Sequence, residues 1–185
     1  MRTQNSSNVR LRFRTADSPL AGTIRYGIGT CTHGAFLVAR GDDGICAILM
    51  SDKADLLPAE LAEVFPSNRL EKSSTLRLDL VAVASFIDDS QSDVQLELTV
   101  GGTAFQQRVW KALCKIPSGK TRSYSELARN IGEEGAARAV ARACAANILA
   151  IAIPCHRVVK SDGSISGYRW GVDRKRKLLE REDAL

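Results

Sequence analysis

Three observations on the 185-residue chain predict an α+β fold with a strand-rich N-terminal part and a mainly helical C-terminal part. The first half is a series of short β-rich runs broken by Gly and Asp. The second half is Ala-rich sequence with helix-capping signals. Charge divides at the same place: residues 1–100 carry 10 Lys and Arg against 13 Asp and Glu, a net of −3, whereas residues 101–185 carry 16 against 8, a net of +8. The organisation expected is a flexible N-terminus over 1–19, a small α+β domain over 20–98 and a helical domain over 99–185.

The opening stretch MRTQNSSNVRLRFRTADS is polar and basic with no apolar h-region, so it reads as a loose terminus and not a secretory signal. TIRYGIGTC, GAFLVAR and GICAILM read as strands, with hairpin turns at CTHG and GDDG. LPAELAEVFP places Leu57, Leu61, Val64 and Phe65 at helical spacing and stops at Pro66. STLRLDLVAVASFIDD reads as a second helix despite its Val-rich middle. VQLELTV alternates and ends at Gly-Gly, as a strand does, and the boundary between domains falls near 90–102.

In the second half, TAFQQRVWKALCKI puts Phe105, Val109, Leu113 and Cys114 or Ile116 on one helix face, with Thr103 as N-cap. SYSELARNIG opens on a Ser with Glu three residues on and closes at Gly132. EEGAARAVARACAANI forms the next helix, so the two are a helix-turn-helix candidate. SDGS is a turn whose flanks are expected to pair as a small hairpin. DRKRKLLEREDA is the last helix, with Asp173 as N-cap and Leu178 and Leu179 as apolar anchors. No apolar run approaches the ~20 residues of a membrane span, and no internal repeat occurs.

The five cysteines, Cys31, Cys46, Cys114, Cys144 and Cys155, are odd in number and irregular in spacing, which argues against a disulfide framework and for a reducing, cytoplasmic setting. The basic second half suits a polyanion such as nucleic acid, or simply a solvated surface. The stretch IAIPCHRVV sets Cys155 against His156. A cysteine attacks as thiolate, and a histidine held by a carboxylate can take its proton. In an extended strand adjacent side chains point to opposite sides, so direct contact needs a kink and otherwise a water bridges the pair. His33 is the only other histidine and lies in the CTHG turn. Cys31, His33 and Cys46 match no zinc spacing, so no metal and no cofactor is expected. A papain-like hydrolase needs its histidine far from its cysteine in sequence, which this chain does not provide.

PCHRV, together with GTAFQQRVWKAL…IPSGKTRSYSELA, ARAVARACAAN, GYRWG and KLLEREDA, resembles the O6-alkylguanine-DNA alkyltransferases in order and spacing over about residues 101–185, and more weakly over 20–100. Within that family the likeness is greatest to the alkyltransferase half of Ada-type proteins. The four-cysteine phosphotriester domain of those proteins has no counterpart here, which leaves a stand-alone enzyme and part of a longer regulator both open. The resemblance implies a ribonuclease H-like N-terminal domain and a winged-helix-like catalytic domain. It implies single-turnover repair of double-stranded DNA: a monomer moves an alkyl group, chiefly methyl, from O6 of guanine (also O4 of thymine) to its own cysteine. The damaged base is flipped out of the stack at a cost of a few kcal/mol. A DNA-binding regulator or damage sensor, in which transfer is only a signal, is the alternative.

By position, the resemblance makes Cys155 the nucleophile, His156 its base through a water, and Glu182 the residue orienting His156. Tyr124 would donate to N3 of the guanine and Asn147 would brace the site; read as residues alone, they fit a half-buried helix tyrosine and a C-cap equally well. The carbonyls of Cys155 and Val158 would accept from the exocyclic amine. Tyr168, Arg169 and Trp170 would line the alkyl pocket, where the bulky Trp170 predicts a tight fit favouring methyl over benzyl. Arg138 would enter the duplex where the base has left, although a solvated arginine is the plain alternative. The small residues around Ala137 suit a narrow minor groove. With only Arg138 and Arg142 on the second helix able to read bases, little sequence preference is expected. Ser123, Arg122 and the run RKRK at 174–177 are candidate phosphate contacts.

Overall fold

The turn-punctuated runs of the first half build one mixed six-stranded sheet, in a computed structural model that describes residues 9–14, 20–89 and 92–185. Its strands are β1 (Val9–Phe13), β2 (Thr23–Cys31), β3 (Gly34–Gly41), β4 (Gly44–Ser51), β5 (Arg69–Lys72) and β6 (Leu96–Val100), in the order β1-β6-β4-β3-β2-β5. β2, β3 and β4 form an antiparallel meander through the two short turns, and β5, β6 and β1 add in parallel. Helices α1 (Leu57–Val64) and α2 (Arg77–Asp88) cover opposite faces. Leu57 and Leu61 of α1 pack with Ile24, Leu37 and Leu49. On the other face, Gly27 and Gly29 leave room for Leu76 and Leu80, and a Cβ at Gly29 would come within 2.8 Å of the Phe36 ring. Because both faces are covered, β3 and β4 are buried almost without alternation, as their continuous apolar runs require.

One expectation is corrected here. Residues 9–13, placed in a loose terminus, form β1 in parallel register with β6. Val9, Leu11 and Phe13 alternate with arginines, a strand pattern short enough to be overlooked. The rest of that stretch, 1–8 and 15–19, lies outside the described residues.

The second half contains α3 (Ala104–Leu113), β7 (Arg122–Ser123), α4 (Tyr124–Asn130), α5 (Ala137–Ala145), β8 (Val158–Val159) and α6 (Val172–Arg181). α3 and α4 each begin with a full capping box, Thr103 with Gln106 and Ser123 with Glu126. Trp110 ties α3 to α5 by donating its indole N–H to the Ala143 carbonyl at 2.9 Å. The chain divides into two units between Gly101 and Gly102, but not linearly: Ile148–Ala150 leaves the helical unit and hydrogen-bonds to Ile48 of β4 within the sheet unit.

Two further expectations are corrected. The flanks of SDGS do not form a hairpin. Val158 and Val159 instead pair in parallel with Arg122 and Ser123, and the turn is closed by the Lys160–Ser164 and Gly163–Lys160 backbone bonds and by Asp162, whose carboxylate accepts from Ser164 N–H and Oγ–H. Asp173 is not the N-cap of α6. Gly171 is, at φ 98°, a left-handed entry that glycine adopts without a steric penalty, and Asp173 sits in the first turn, where its charge suits the helix dipole. Among the described residues no helix is long and apolar enough to cross a membrane.

Candidate active site

The segment after α5 is shaped by backbone geometry before side chains enter. Ile151 takes φ 63°, a left-handed conformation rare for a β-branched residue. Pro154, at φ −79° and ψ 59°, makes an inverse γ-turn closed by Cys155 N–H donating to the Ile153 carbonyl at 2.8 Å. Cys155–Arg157 then forms one 3₁₀ turn. The expected kink is therefore two successive turns, and Cys155 and His156 stand about a third of a turn apart instead of on opposite sides.

Asn147 holds this loop closed. Its side-chain amide donates to the Ile153 carbonyl at 2.9 Å and to the Cys155 sulfur at 3.3 Å. At 1% exposure it braces the loop. Cys155 is itself buried, and burial pushes its thiol up to about 11, against the smaller opposing effect of the Asn147 bond. The resting group is thus a thiol.

His156 is fully buried, and its Nε2 lies 3.1 Å from the Glu182 Oε1. Burial would raise the Glu182 carboxyl, but the hydrogen bonds and charges of His156 and Arg157 outweigh it and hold the group at about 2. Glu182 is therefore an acceptor only, so Nε2 carries the proton and donates. Nδ1 is buried and has no hydrogen-bond partner among the described residues. Burial, partly offset by Glu182, lowers the His156 pKa, which keeps the ring neutral. The result is a base whose free nitrogen waits for a proton.

Arg157 was missed in the sequence. Its guanidinium donates to both Glu182 oxygens at 2.9 Å and to the Ile116 carbonyl at 2.6 Å, fixing the carboxylate as a bidentate partner.

A cavity of about 500 Å³ opens beside the thiol, its wall including Tyr124, Cys144, Cys155, Ser166, Tyr168 and Arg169. Trp170 does not line it, which corrects the expectation. It is buried behind Tyr168 in an edge-on contact at 5.2 Å between centroids, and Tyr168 meets His156 edge-on at 6.4 Å. Tyr168 thus carries any bulk that Trp170 imposes.

The run RKRK is likewise divided. Arg174 and Lys175 are buried, whereas Arg176 and Lys177 are exposed. Arg174 donates to the Trp170 carbonyl. The Lys175 ammonium donates to the Val158 carbonyl and to Ser166 Oγ, the latter at 2.9 Å, and Ser166 Oγ lies 2.6 Å from the Tyr124 hydroxyl. Neither buried residue can contact phosphate. The helical spacing of 174, 175, 178, 179 and 182 was the available signal, since it places both on the face of Leu178, Leu179 and Glu182.

On the remaining candidates the structure is direct. Arg138 and Arg142 are exposed on α5, Ala137 is its first residue, and Arg122 is exposed on β7. Ser123 is 8% exposed and its hydroxyl accepts from Glu126 N–H as the α4 cap, which leaves it little surface to offer a phosphate.

Comparison with known proteins fits this geometry. The family model for the 6-O-methylguanine DNA methyltransferase DNA-binding domain matches residues 104–184. The chain is 52% identical over 161 residues to the regulatory protein ada of Salmonella typhimurium, covering 86% of this chain and 46% of that protein. It is 37% identical over 158 residues to the methylated-DNA–protein-cysteine methyltransferase of Methanosarcina barkeri, covering 85% of this chain and 96% of that protein. The crystal structure of Mycobacterium tuberculosis OGT in complex with DNA aligns with a TM-score of 0.72 at 34% identity, covering 86% of this chain and 93% of that one. The chain spans about half the length of the Ada relatives it matches.

Proposed function

The chain belongs to the methylated-DNA–protein-cysteine methyltransferase family, and from that premise we propose that it repairs O6-alkylguanine in double-stranded DNA by irreversible transfer of the alkyl group to Cys155. The observation that carries this reading is a buried thiol on the wall of a cavity, next to a neutral histidine whose Nδ1 has no partner among the described residues. His156 Nδ1 takes the thiol proton through a bridging water, since none of the described residues occupies that nitrogen. The sulfur attacks the alkyl carbon, the carbon–oxygen bond breaks, and its electron pair goes to O6 of the guanine. Tyr124, on the cavity wall, donates to N3 as charge develops on the leaving base. The Cys155 and Val158 carbonyls accept from the exocyclic amine, and no cofactor takes part.

The helix pair α4–α5 is the DNA-binding element of this proposal. Exposed Arg138 fills the space left by the flipped base, and Arg142 and Arg122 contact the backbone. The small side chains of α5 suit the minor groove, with little sequence preference and affinity that falls with salt. The reading places a monomer in the bacterial cytoplasm and nucleoid.

Incubation with a duplex containing O6-methylguanine, followed by intact-protein and peptide mass measurement, tests the assignment. A gain of one methyl per molecule, located on Cys155, is expected. Lesion binding without mass gain would leave only the sensor reading. The Tyr168–Trp170 wall also predicts slow inactivation by free O6-benzylguanine, with pre-treated protein retaining most of its methyl acceptance; rapid inactivation would remove the proposed preference for methyl.

A further inference from the structure

We infer that Lys175 and Ser166 form a hydrogen-bond relay that sets the direction of the Tyr124 hydroxyl, making it a donor into the cavity. The inference rests on the functional reading above and extends it to two residues that this reading does not use.

An ammonium has three donors and no acceptor. Lys175 is buried and spends two of them on the Val158 carbonyl and Ser166 Oγ. Burial lowers its pKa to about 8, so the group is still charged at neutral pH. Ser166 Oγ therefore accepts from Lys175, and its single O–H must go elsewhere. Two acceptors are in reach: Tyr124 Oη at 2.6 Å and the Val158 carbonyl at 3.4 Å. The carbonyl already receives Lys175 and lies at the limit of a useful bond. The serine proton goes to the tyrosine oxygen.

That assignment has one consequence for Tyr124. Its oxygen accepts from Ser166, so its own O–H cannot point back along the same contact and is left facing the cavity that Tyr124 lines. In a chain of bonds each donor is polarised by the one behind it, and here the chain begins at a positive charge. The order Lys175 to Ser166 to Tyr124 to base is thus a pre-set donor aimed at an acceptor on the leaving guanine. Were Ser166 absent, the tyrosine hydroxyl would be free to rotate, and the ordering would have to occur as the base enters. Ser166 and Lys175 are positioning residues on this account, acting only through Tyr124.

The test measures single-turnover methyl transfer by the full chain on two duplexes. One carries O6-methylguanine and the other its analogue with CH in place of N3, which cannot accept from Tyr124. Ser166→Ala is expected to slow transfer about tenfold on the first duplex, as for one directed hydrogen bond, and to have almost no effect on the second. The same loss is expected to vanish when Ser166→Ala is combined with Tyr124→Phe. Ser166 is only half-buried, so the fold is expected to hold, with a thermal midpoint lowered by a few degrees for the acceptor lost to Lys175 and an unchanged affinity for undamaged duplex. An equal loss on both duplexes, or an undiminished loss beside Tyr124→Phe, would make Ser166 merely structural and overturn the relay. No loss on either duplex would overturn it too. Absence of transfer by the wild-type chain would instead overturn the functional reading itself, and the relay with it.

Discussion

Cys155→Ala is expected to reduce methyl transfer to the level of protein-free DNA while leaving lesion binding intact. The thiol stands at about 11, so at pH 7 roughly one molecule in ten thousand would carry a free thiolate unaided. On the proposed reading, reactivity therefore depends on the coupling of this sulfur to His156. Cys144 lines the same cavity, but burial pushes its thiol higher still, and no base is aimed at it. The folded state loses little. Asn147 keeps its bond to the Ile153 carbonyl when the sulfur goes, and the cavity left by one atom costs about 1 kcal/mol. Binding to an O6-methylguanine duplex by gel shift, beside the mass measurement, separates the two effects. Residual transfer in this variant would mean that another residue is the acceptor.

Glu182→Ala is expected to be the most damaging single change to both stability and rate. It removes the partner of a fully buried histidine and of a mostly buried arginine at once. Leaving a buried charge unpaired costs about 3 kcal/mol or more, which corresponds to a fall of roughly 10 °C in thermal midpoint for a chain of this size. Transfer is expected to slow by about 10²- to 10⁴-fold, the usual worth of a positioned base. Glu182→Gln separates the causes by keeping the shape and removing the charge. The sign of the pH effect is fixed by the depressed carboxyl. The Glu182 contribution to stability is complete above its ordinary value of 4.5 and is lost as pH falls towards about 2, so the curves of the wild type and of the Glu182→Gln variant converge in that window. His156 acts in the same direction, because a ring buried neutral must charge as pH falls below 6.5. For the same reason the transfer rate is expected to persist below the ordinary histidine range and to fall only at more acid pH. Denaturant titrations from pH 3 to 8 check the convergence; parallel curves throughout would contradict it.

Much of the local structure was legible because it is local. The capping boxes at Thr103 and Ser123 are satisfied within three residues, and each turn of the meander carries its own glycine, although Thr32 in the first turn also donates to Asp88 of α2. The candidate base for Cys155 could also be narrowed from the sequence, since only two histidines exist and one lies in a hairpin turn. What failed were statements about partners distant in the chain. The parallel pairing of Val158–Val159 with Arg122–Ser123 joins segments 36 residues apart, and no short-range signal distinguishes it from a hairpin. β1 escaped notice for the same reason, since its partner β6 lies 87 residues away.

Residue type and order thus determined by themselves an α+β chain, the starts of α3 and α4, most of the turns, and the placing of a single histidine beside Cys155. Only the tertiary structure decided which cations are buried. Arg174 and Lys175 stand in a run expected to contact phosphate and Arg157 carried no expected role, yet the first two are buried and the third mostly so, held by acceptors that the fold supplies: the Trp170 carbonyl, Val158 with Ser166, and Glu182 with the Ile116 carbonyl. A charge leaves water only when several such acceptors converge on it. That convergence is a property of the folded chain, and here it sets both the carboxylate behind His156 and the donor that faces the cavity.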